Sequence, residues 1–272
     1  MLYFMQEKIT SLQNPRIKNI VKLTKARERK EQNTIVVEGY REISMAIHSG
    51  FQIKELYFAQ EKYLSSEAPA LFNRLPKTAQ LIELSGPVFE KIAYRENSDG
   101  LLALFTPKYV TPADLKLSSN PLILILESVE KPGNLGAILR TADAAALDAI
   151  IVCDPQTDIY NPNVIRSSLG CIFTKQVATC TTEEAIAYLH KKNIRSFAAA
   201  LTADKYYHQQ NFTKPSAIIM GTEADGLTDK WLKGADSQVK IPMEGKVDSL
   251  NVSTSAAILI FEAKRQRGFE SI

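Results

Sequence analysis

Short apolar runs alternate along the chain with segments in which apolar residues recur at helical spacing. In the first hundred residues this pattern predicts strands over 34–37, 53–59, 80–84 and 101–105 and helices over 40–48, 68–73 and 87–93. Such an alternation is typical of an α/β unit with a mostly parallel sheet.

A second alternation begins at Pro121, where the run PLILILE is typical of a buried strand. Further strands are predicted over 149–152, 177–179, 196–200, 217–220 and 238–241, and a last helix over 253–267. The stretch TPKYVTPADLKLSSNP separates the two alternations, and its prolines and polar residues predict a linker. We therefore expect a domain over residues 1–107, a linker over 108–120 and a second domain over 121–272.

The composition adds limits to this α/β organisation. The 272 residues are 45% hydrophobic and 23% charged, which is ordinary for a globular protein. No apolar run reaches the roughly 18 residues of a membrane helix, and the start MLYFMQEKIT lacks the features of a signal peptide. Cys153, Cys171 and Cys180 lack metal-ligand spacing. We expect a cytoplasmic protein with reduced thiols, no membrane partner and no metal.

Charge is distributed unevenly, although the net charge of the whole chain is only +3. Residues 1–31 hold eight Lys and Arg against three Glu and carry +5, which leaves −2 for the rest. Asn14 and Pro15 are typical of a helix start, and Ile17 and Ile20 predict an apolar face opposite a basic one. The basic face is either solvated surface or a contact for nucleic-acid phosphates.

Three segments of the second domain place small and polar residues directly after predicted strands. In EKPGNLGAILR, glycines permit close backbone approach and Asn134 is a suitable helix N-cap, so this segment is compatible with a tight turn as well as a site. In IIMGTEADGL, two glycines flank Glu223 at the strand end where ligands bind in open α/β sheets. In SLNVSTS, the amide and hydroxyl groups either serve a site or cap the last helix. The glycine spacing matches neither a dinucleotide fingerprint nor a P-loop.

Together, NLGAILR from Asn134, GTEADGL from Gly221 and SLNVS from Ser249 resemble, in this order, the three motifs of the SpoU (TrmH) family in the SPOUT superfamily. In the first domain, ITSLQNPRIKNIVKL and VVEGYREISMAI resemble the RNA-substrate-binding module of the same family. The resemblance implies a SPOUT-type α/β fold, with a parallel sheet and a C-terminal deep trefoil knot, beside a smaller ribosomal-protein-like α/β domain. It also implies an RNA ribose 2′-O-methyltransferase that uses S-adenosylmethionine and works as a homodimer.

The resemblance implies roles for individual residues. The catalytic residues would be Arg140, Asn134, Glu223, Asn251 and Ser253. The cofactor would lie against Gly221, Thr222, Gly226, Ile241, Met243 and Leu250. RNA would contact Arg16, Lys18, Lys22, Lys25, Arg27 and Arg29, and also Arg166 and Ser167 of a short later helix.

Chemistry refines the role of Arg140. A charged guanidinium has no acceptor atom and is a poor base at neutral pH, so we expect Arg140 to hold a phosphate and position the target nucleotide. Asn134 and Asn251 would orient that nucleotide, while Glu223 and Ser253 organise the pocket. We expect ribosomal RNA as the substrate, because the first domain resembles that of the ribosomal enzymes. The alternatives are transfer RNA and a non-catalytic RNA-binding protein of the same fold.

Overall fold

The computed structural model describes residues 8–63 and 68–269. Residues 1–7, on which the expectation of no signal peptide partly rests, lie outside the described residues. The internal contacts divide the chain into two compact units. The first runs to Lys108 and also includes Tyr160–Thr174, and the second comprises Tyr109–Ile159 and the chain from Lys175 onward.

The elements follow one another in the predicted order. The helices are α1 (Pro15–Lys22), α2 (Ala26–Glu31), α3 (Tyr40–His48), α4 (Ala68–Phe72), α5 (Gly86–Ile92), α6 (Pro132–Ala144), α7 (Pro162–Ser167), α8 (Cys171–Thr174), α9 (Thr182–Lys192), α10 (Asp229–Gly234) and α11 (Val252–Gln266). The strands are β1 (Ile35–Glu38), β2 (Ile53–Phe58), β3 (Gln80–Glu83), β4 (Leu101–Phe105), β5 (Leu122–Glu127), β6 (Ala149–Cys153), β7 (Val177–Cys180), β8 (Arg195–Ala199), β9 (Ser216–Met220) and β10 (Ser237–Val239). The predicted strands are confirmed with ends displaced by at most two residues.

The basic segment forms two helices where one was expected. As predicted, α1 begins after Asn14, whose side chain accepts a hydrogen bond from the backbone N–H of Arg16 at 2.9 Å. The helix ends at Lys22, and α2 begins only at Ala26. The guanidinium of Arg29 in α2 donates to carbonyl groups in the connection between the helices. This interaction satisfies groups that a continuous helix would have bonded internally, and residue periodicity does not reveal it.

The sheet of the first unit is mixed, with the strand order β1-β4-β2-β3. Strand β4 is antiparallel to both β1 and β2, and only β2 and β3 are parallel. The expectation of a mostly parallel sheet is wrong for this unit, because an alternation of elements does not fix the direction in which β4 enters between its neighbours. One face of the sheet packs against α1 and α5 through buried residues that include Ile20, Tyr57, Phe89 and Leu102.

The sheet of the second unit confirms the α/β expectation for this part of the chain. Its strand order is β10-β8-β9-β5-β6-β7, and every pairing is parallel. All residues of the central strand β5 are buried, as the run LILILE predicts. Since the strands are parallel, their carboxyl ends meet at one edge, where the segments following β5 and β9 lie side by side.

Of the predicted linker 108–120, residues 109–120 belong to the second unit. Val110 forms a parallel bridge with Ala178, and Leu115 is buried in the core of the unit. The side chain of Gln176 bonds both the backbone N–H and the carbonyl of Lys116. The prolines and polar residues of this segment predicted a linker, although Val110 and Leu115 pack against the second unit. The boundaries 1–107 and 121–272 stay a prediction.

The last strand and helix return the chain to the centre of the second sheet. From β10 at one edge, residues 240–251 lead to α11, which packs against α6 and β9. The trefoil knot implied by the resemblance stays a prediction. Among the described residues, no helix combines the length and the apolar character needed to cross a membrane.

Candidate active site

The loop after β9 is a tight turn that presents Glu223 at the carboxyl edge of the second sheet. The backbone N–H of Thr222 donates to the carbonyl of Gly226 at 2.9 Å, and Gly226 has a positive φ of 69°. A Cβ at Gly221 would lie 2.1 Å from that same carbonyl oxygen, so only glycine fits there. The two glycines of the motif therefore shape the loop.

Glu223 joins the three motifs through its carboxylate. Its Oε1 accepts hydrogen bonds from Asn134 Nδ2 at 2.6 Å and from Asn251 Nδ2 at 2.7 Å. The ammonium group of Lys131 donates to Oε2 and forms an ion pair. Segments that lie far apart in the sequence thus meet on one side chain. We call Lys131, Asn134, Glu223, Asn251 and Ser253 the Glu223 cluster.

Asn251 donates to Glu223 and caps a helix at the same time. Its Oδ1 accepts from the backbone N–H of Ser253 at 2.9 Å and from Ser253 Oγ at 2.6 Å, which caps α11. Its Nδ2 reaches Glu223 and also lies 3.3 Å from Asn134 Oδ1. The capping role of Asn251 is confirmed, and its catalytic role stays a prediction that the hydrogen bond to Glu223 supports.

Asn134 is not the N-cap that the sequence suggested. Helix α6 begins at Pro132, and the N-cap position is occupied by Lys131. Asn134 lies within the first turn of the helix, where its side chain projects to Glu223 instead of capping the backbone. Proline at the first helical position, which needs no N–H partner, explains this earlier start.

The ion pair determines the charge state of the cluster. The hydrogen bond from Lys131 lowers the pKa of Glu223, the hydrogen bond from Asn134 acts in the same direction, and desolvation opposes both. The same ion pair raises the pKa of Lys131 above its ordinary value of 10.5. Glu223 is therefore an anion at neutral pH that orients two amides, and its lowered pKa makes it a weaker proton acceptor than an ordinary glutamate.

Sequence reasoning missed Lys131. The residue precedes Pro132 at the turn between β5 and α6. Its position three residues before Asn134 was the one feature of the sequence that could have predicted a place near the site. A small pocket opens beside the cluster. It is lined by Val129, Glu130, Lys131, Asn134, Gly221, Thr222, Glu223 and Val252.

The structure does not bring Arg140 into the Glu223 cluster. Arg140 lies on α6, six residues after Asn134, which places it about 9 Å further along the helix axis and on a different side. The side chain is exposed and makes no hydrogen bond or ion pair with any residue in the described ranges. Arg140 is thus available to an external phosphate.

The residues expected to hold the cofactor lie on two adjoining segments. Thr222, Gly221 and Gly226 form the turn after β9, and the segment 241–250 contains Ile241, Met243 and Leu250. Within the described chain, residues 241–250 make no backbone–backbone hydrogen bond, and Ile241 and Met243 are half-buried. Unpaired main-chain donors and acceptors beside apolar side chains suit an adenine ring, so the residues present fit S-adenosylmethionine.

The helices α1 and α2 carry an exposed set of cations. Lys18, Lys22 and Lys25 are exposed, and none of the three forms a side-chain ion pair within the described residues. Arg27 is also exposed and pairs with Glu31 at 2.6 Å, one helical turn away. We call Lys18, Lys22, Lys25 and Arg27 the basic face.

Arg29 does not belong to the basic face. It is only 2% exposed, and its Nη1 donates to the carbonyl oxygens of Leu23 and Thr24, both at 2.8 Å. The expectation that Arg29 contacts RNA is corrected for this reason. Arg16 is half-buried and pairs with Glu55 at 2.9 Å, so its guanidinium is already engaged.

Arg166 and Ser167 lie at the end of α7. Arg166 is exposed and borders a small pocket that also contains Glu38, Tyr94 and Arg95. Ser167 Oγ donates to the carbonyl of Asn163 at 2.5 Å, within its own helix. Arg166 is therefore the better placed of the two for an RNA contact.

Comparisons with known proteins agree with this geometry. The model of the SpoU rRNA Methylase family matches residues 121–261, and that of the MRM3-like substrate binding domain matches residues 14–103. The 23S rRNA (guanosine(2553)-2′-O)-methyltransferase RlmP of Bacillus subtilis is 28% identical over 95% of this chain and 99% of its own length. An uncharacterized tRNA/rRNA methyltransferase of Synechocystis is 31% identical over 95% of this chain and 94% of its own.

Solved structures give the same result. An AdoMet-bound rRNA methyltransferase from Sinorhizobium meliloti has a TM-score of 0.90 and 28% identity, covering 98% of this chain and 99% of its own. An RNA 2′-O ribose methyltransferase has a TM-score of 0.84 and 38% identity, covering 96% of this chain and 99% of its own. The predicted SPOUT-type α/β fold with an N-terminal substrate-binding domain is confirmed, and the trefoil knot stays a prediction.

Proposed function

Because this chain belongs to the SpoU rRNA methylase family, we propose that it methylates a ribose 2′-hydroxyl of ribosomal RNA with S-adenosylmethionine as the methyl donor. The predicted family, enzyme class and cofactor are confirmed. Ribosomal RNA is favoured over transfer RNA because several similar proteins, RlmP among them, are named as 23S rRNA 2′-O-methyltransferases.

One observation carries the proposal: the three motifs converge on the carboxylate of Glu223. Asn134 and Asn251 lie 89 and 28 residues away from Glu223 in the sequence, yet both donate to its Oε1. A non-catalytic RNA-binding protein would need a basic surface but would not need two amides fixed on one anion at the carboxyl edge of the sheet. This arrangement supports an enzyme over the alternative of a binding protein.

When bound, S-adenosylmethionine supplies an electrophilic methyl group on a sulfonium. Backbone groups of Gly221 and Thr222 and of the segment 241–243 would hold it, with Ile241 and Leu250 on either side of the adenine. The close contact between Gly221 and Gly226 fixes the path of the first of these segments.

The chain's own residues would orient the ribose. Glu223 holds the Nδ2 atoms of Asn134 and Asn251, so the Oδ1 atom of Asn134 is fixed as an acceptor for a ribose hydroxyl. Arg140, whose side chain has no hydrogen-bond or ion-pair partner in the part of the chain that the structure describes, would bind the neighbouring phosphate with its planar guanidinium. Lys131 keeps Glu223 anionic and adds positive charge near the RNA backbone.

The basic face would bind the phosphates of the RNA through cations of the first unit. Lys18, Lys22 and Lys25 have no competing ion pairs within the described residues, so phosphate contacts would cost no internal bond. Such contacts set affinity and register and carry no base specificity. An rRNA substrate also supports the cytoplasm as the place of action.

A homodimer is part of the proposal. Helix α11 exposes 41% of Phe261, whose ring lies 6.4 Å from that of the exposed Phe269. Leu259 of the same helix is buried in the core and is not available for such a contact. Sedimentation analysis should show a dimer that Phe261→Glu dissociates, whereas Leu201→Glu, at another exposed apolar residue, should leave it intact. If the unmodified chain is a monomer in this experiment, the proposed homodimer is wrong.

The decisive experiment measures transfer of a radiolabelled methyl group from S-adenosylmethionine to ribosomal RNA. Arg140→Lys keeps the charge but loses the planar fork, and we expect it to lower turnover at least tenfold. Near-full turnover of this variant would show that Arg140 does not act by bidentate positioning.

Mapping of 2′-O-methylation in a strain that lacks the gene identifies the substrate. We expect one ribosomal RNA position to lose its methyl group. Loss of a transfer RNA site with ribosomal RNA unchanged would overturn the choice of substrate, and no change in either RNA would overturn the proposed activity.

A further inference from the structure

Glu127 is the last residue of β5, and the proposed methyl transfer assigns no role to its side chain. It is only 2% exposed. Its Oε1 accepts hydrogen bonds from Thr182 Oγ1 at 3.1 Å and from Thr228 Oγ1 at 2.7 Å, and its Oε2 accepts from the backbone N–H of Thr228 at 2.8 Å. A buried carboxylate is costly unless it is hydrogen bonded, so these contacts explain how it is tolerated but not why it is there.

Thr228 gives up its usual local role to reach Glu127. It occupies the N-cap position of α10, where a threonine hydroxyl ordinarily accepts from the first turn of the helix. In this structure its side chain makes no such cap bond, and the hydroxyl donates to a residue 101 positions earlier. The contact with Glu127 has therefore replaced a local interaction that Thr228 was well placed to make.

The position of these residues links the two halves of the site. Thr228 follows the turn 221–227, which carries Glu223, and Glu127 precedes the segment that leads to Lys131 and Asn134. The Glu127–Thr228 bonds thus join the bases of the two segments whose tips meet in the Glu223 cluster. A shift at the bases would move Glu223 relative to Asn134, and displacement of reacting groups by about 1 Å is costly for catalysis.

We propose that Glu127 is a positioning residue for methyl transfer, which acts through Thr228 to fix the turn carrying Glu223 against the strand leading to Asn134. This inference rests on the proposed function. Thr182, the other residue that donates to Glu127, lies at the start of α9 and leads to neither segment of the site. Its bond to Glu127 supports the core and not the alignment of the cluster.

The two threonines provide a matched test, because each donates one hydroxyl to the same oxygen. Thr228→Val and Thr182→Val are nearly isosteric and leave the carboxylate with its other partners. We expect Thr228→Val to lower kcat at least fivefold with the KM for RNA unchanged, and Thr182→Val to stay within twofold of the unmodified enzyme. Both should lower Tm by a similar amount.

A second measurement needs neither cofactor nor RNA. Amide hydrogen exchange of a peptide covering 221–228 should be at least fivefold faster in Thr228→Val and unchanged in Thr182→Val. Trp231, the single tryptophan of the chain, is buried in α10, and an unchanged emission maximum would show that this helix remains packed in both variants.

Substitution of the carboxylate completes the test. Glu127→Gln can still accept from the N–H of Thr228 and donate to the two hydroxyls, so we expect it to retain at least a third of the turnover. Glu127→Leu should lower turnover at least tenfold at a temperature where the variant is folded. If Glu127→Leu does not fold, the comparison of Thr228→Val with Thr182→Val tests the proposal.

Equal losses of turnover in Thr228→Val and Thr182→Val would overturn the proposal, because they would show a role in core stability alone. Unchanged exchange and turnover in Thr228→Val would overturn it as well. If the unmodified chain does not methylate RNA, the proposed function fails, while the difference in hydrogen exchange still decides whether Glu127 positions the turn.

Discussion

The Glu223 cluster and the basic face both place charged groups on the surface, but the side chains of the first are hydrogen bonded to one another, whereas most cations of the second have no ion-pair partner within the described residues. In the cluster, one carboxylate is held by two amides and an ammonium group. On the basic face, three lysines have no ion-pair partner within the described residues. A reacting group needs fixed geometry, whereas attraction to phosphates needs only charge within reach.

This difference predicts how each region responds to substitution. Substitution of one residue of the cluster should lower turnover, because the remaining side chains lose hydrogen bonds that hold them in place. Loss of one cation from the basic face should cost affinity in proportion to its charge. Arg29, adjacent to the basic face in sequence but buried, should behave like neither region.

The largest effect is expected at the centre of the cluster. Glu223→Ala removes the acceptor that orients Asn134 and Asn251, and we expect kcat to fall about 100-fold, as when a preorganised polar group is removed from other active sites. The control is Asp225→Ala, which removes the same charge from the same turn, and methyl transfer to RNA is the measurement. Equal activity of the two variants would show that the orientation of Asn134 and Asn251 by Glu223 is unimportant for turnover.

The second effect is on stability. Arg29→Met leaves the carbonyl groups of Leu23 and Thr24 without this donor inside the first unit, and we expect a loss of about 2 to 3 kcal/mol in the free energy of unfolding. Arg27→Met, in the same helix but exposed, should change it by less than about 0.5 kcal/mol. Urea unfolding followed by circular dichroism measures both, and similar values for the two would contradict the assignment of Arg29 to the interior.

A smaller effect is expected from the basic face. Lys22→Ala with Lys25→Ala should weaken RNA binding about three- to tenfold and reduce the slope of log affinity against log salt by about 1.8. Binding of S-adenosylmethionine should not change. Lys77→Ala with Lys91→Ala removes two exposed lysines from elsewhere in the first unit and is the matched control. If both pairs weaken binding equally, the basic face has no special role.

The smallest effect concerns pH. The pKa of Glu223 in the folded chain lies below its ordinary value of 4.5, because Lys131 and Asn134 favour the anion. The stability that this anion contributes is present above pH 4.5 and is lost as pH falls through the lowered pKa. The difference in Tm between the unmodified chain and Glu223→Gln should therefore be constant from pH 6 to 8 and disappear in acid. A difference that changes between pH 6 and 8 would contradict this charge state.

Much of the fold and half of the site could be predicted from the sequence. The strand LILILE and the alternation around it predicted the second sheet, because burial on both faces requires continuous apolar residues. The glycines on either side of Glu223 in GTEADGL predicted a site at the end of this strand, and the structure places Glu223 there on a tight turn. The resemblance to three motifs then predicted that Asn134, Glu223 and Asn251 belong together, and the structure joins them by hydrogen bonds.

The remainder depended on contacts between residues distant in the sequence. Nothing in the local pattern around Arg29 distinguishes it from Arg27, and only the fold places one guanidinium against carbonyl groups of the connection between α1 and α2. Contacts between distant residues also decide the direction of β4, the packing of residues 109–120 and the partners of Lys131 and Glu127. The sequence by itself determined which segments are strands and helices and which residue types stand at the strand ends, since periodicity and backbone restrictions act locally. The tertiary structure decided which cations are free and which carboxylates hold the site together, because those properties depend on the distances between groups that only folding brings into contact.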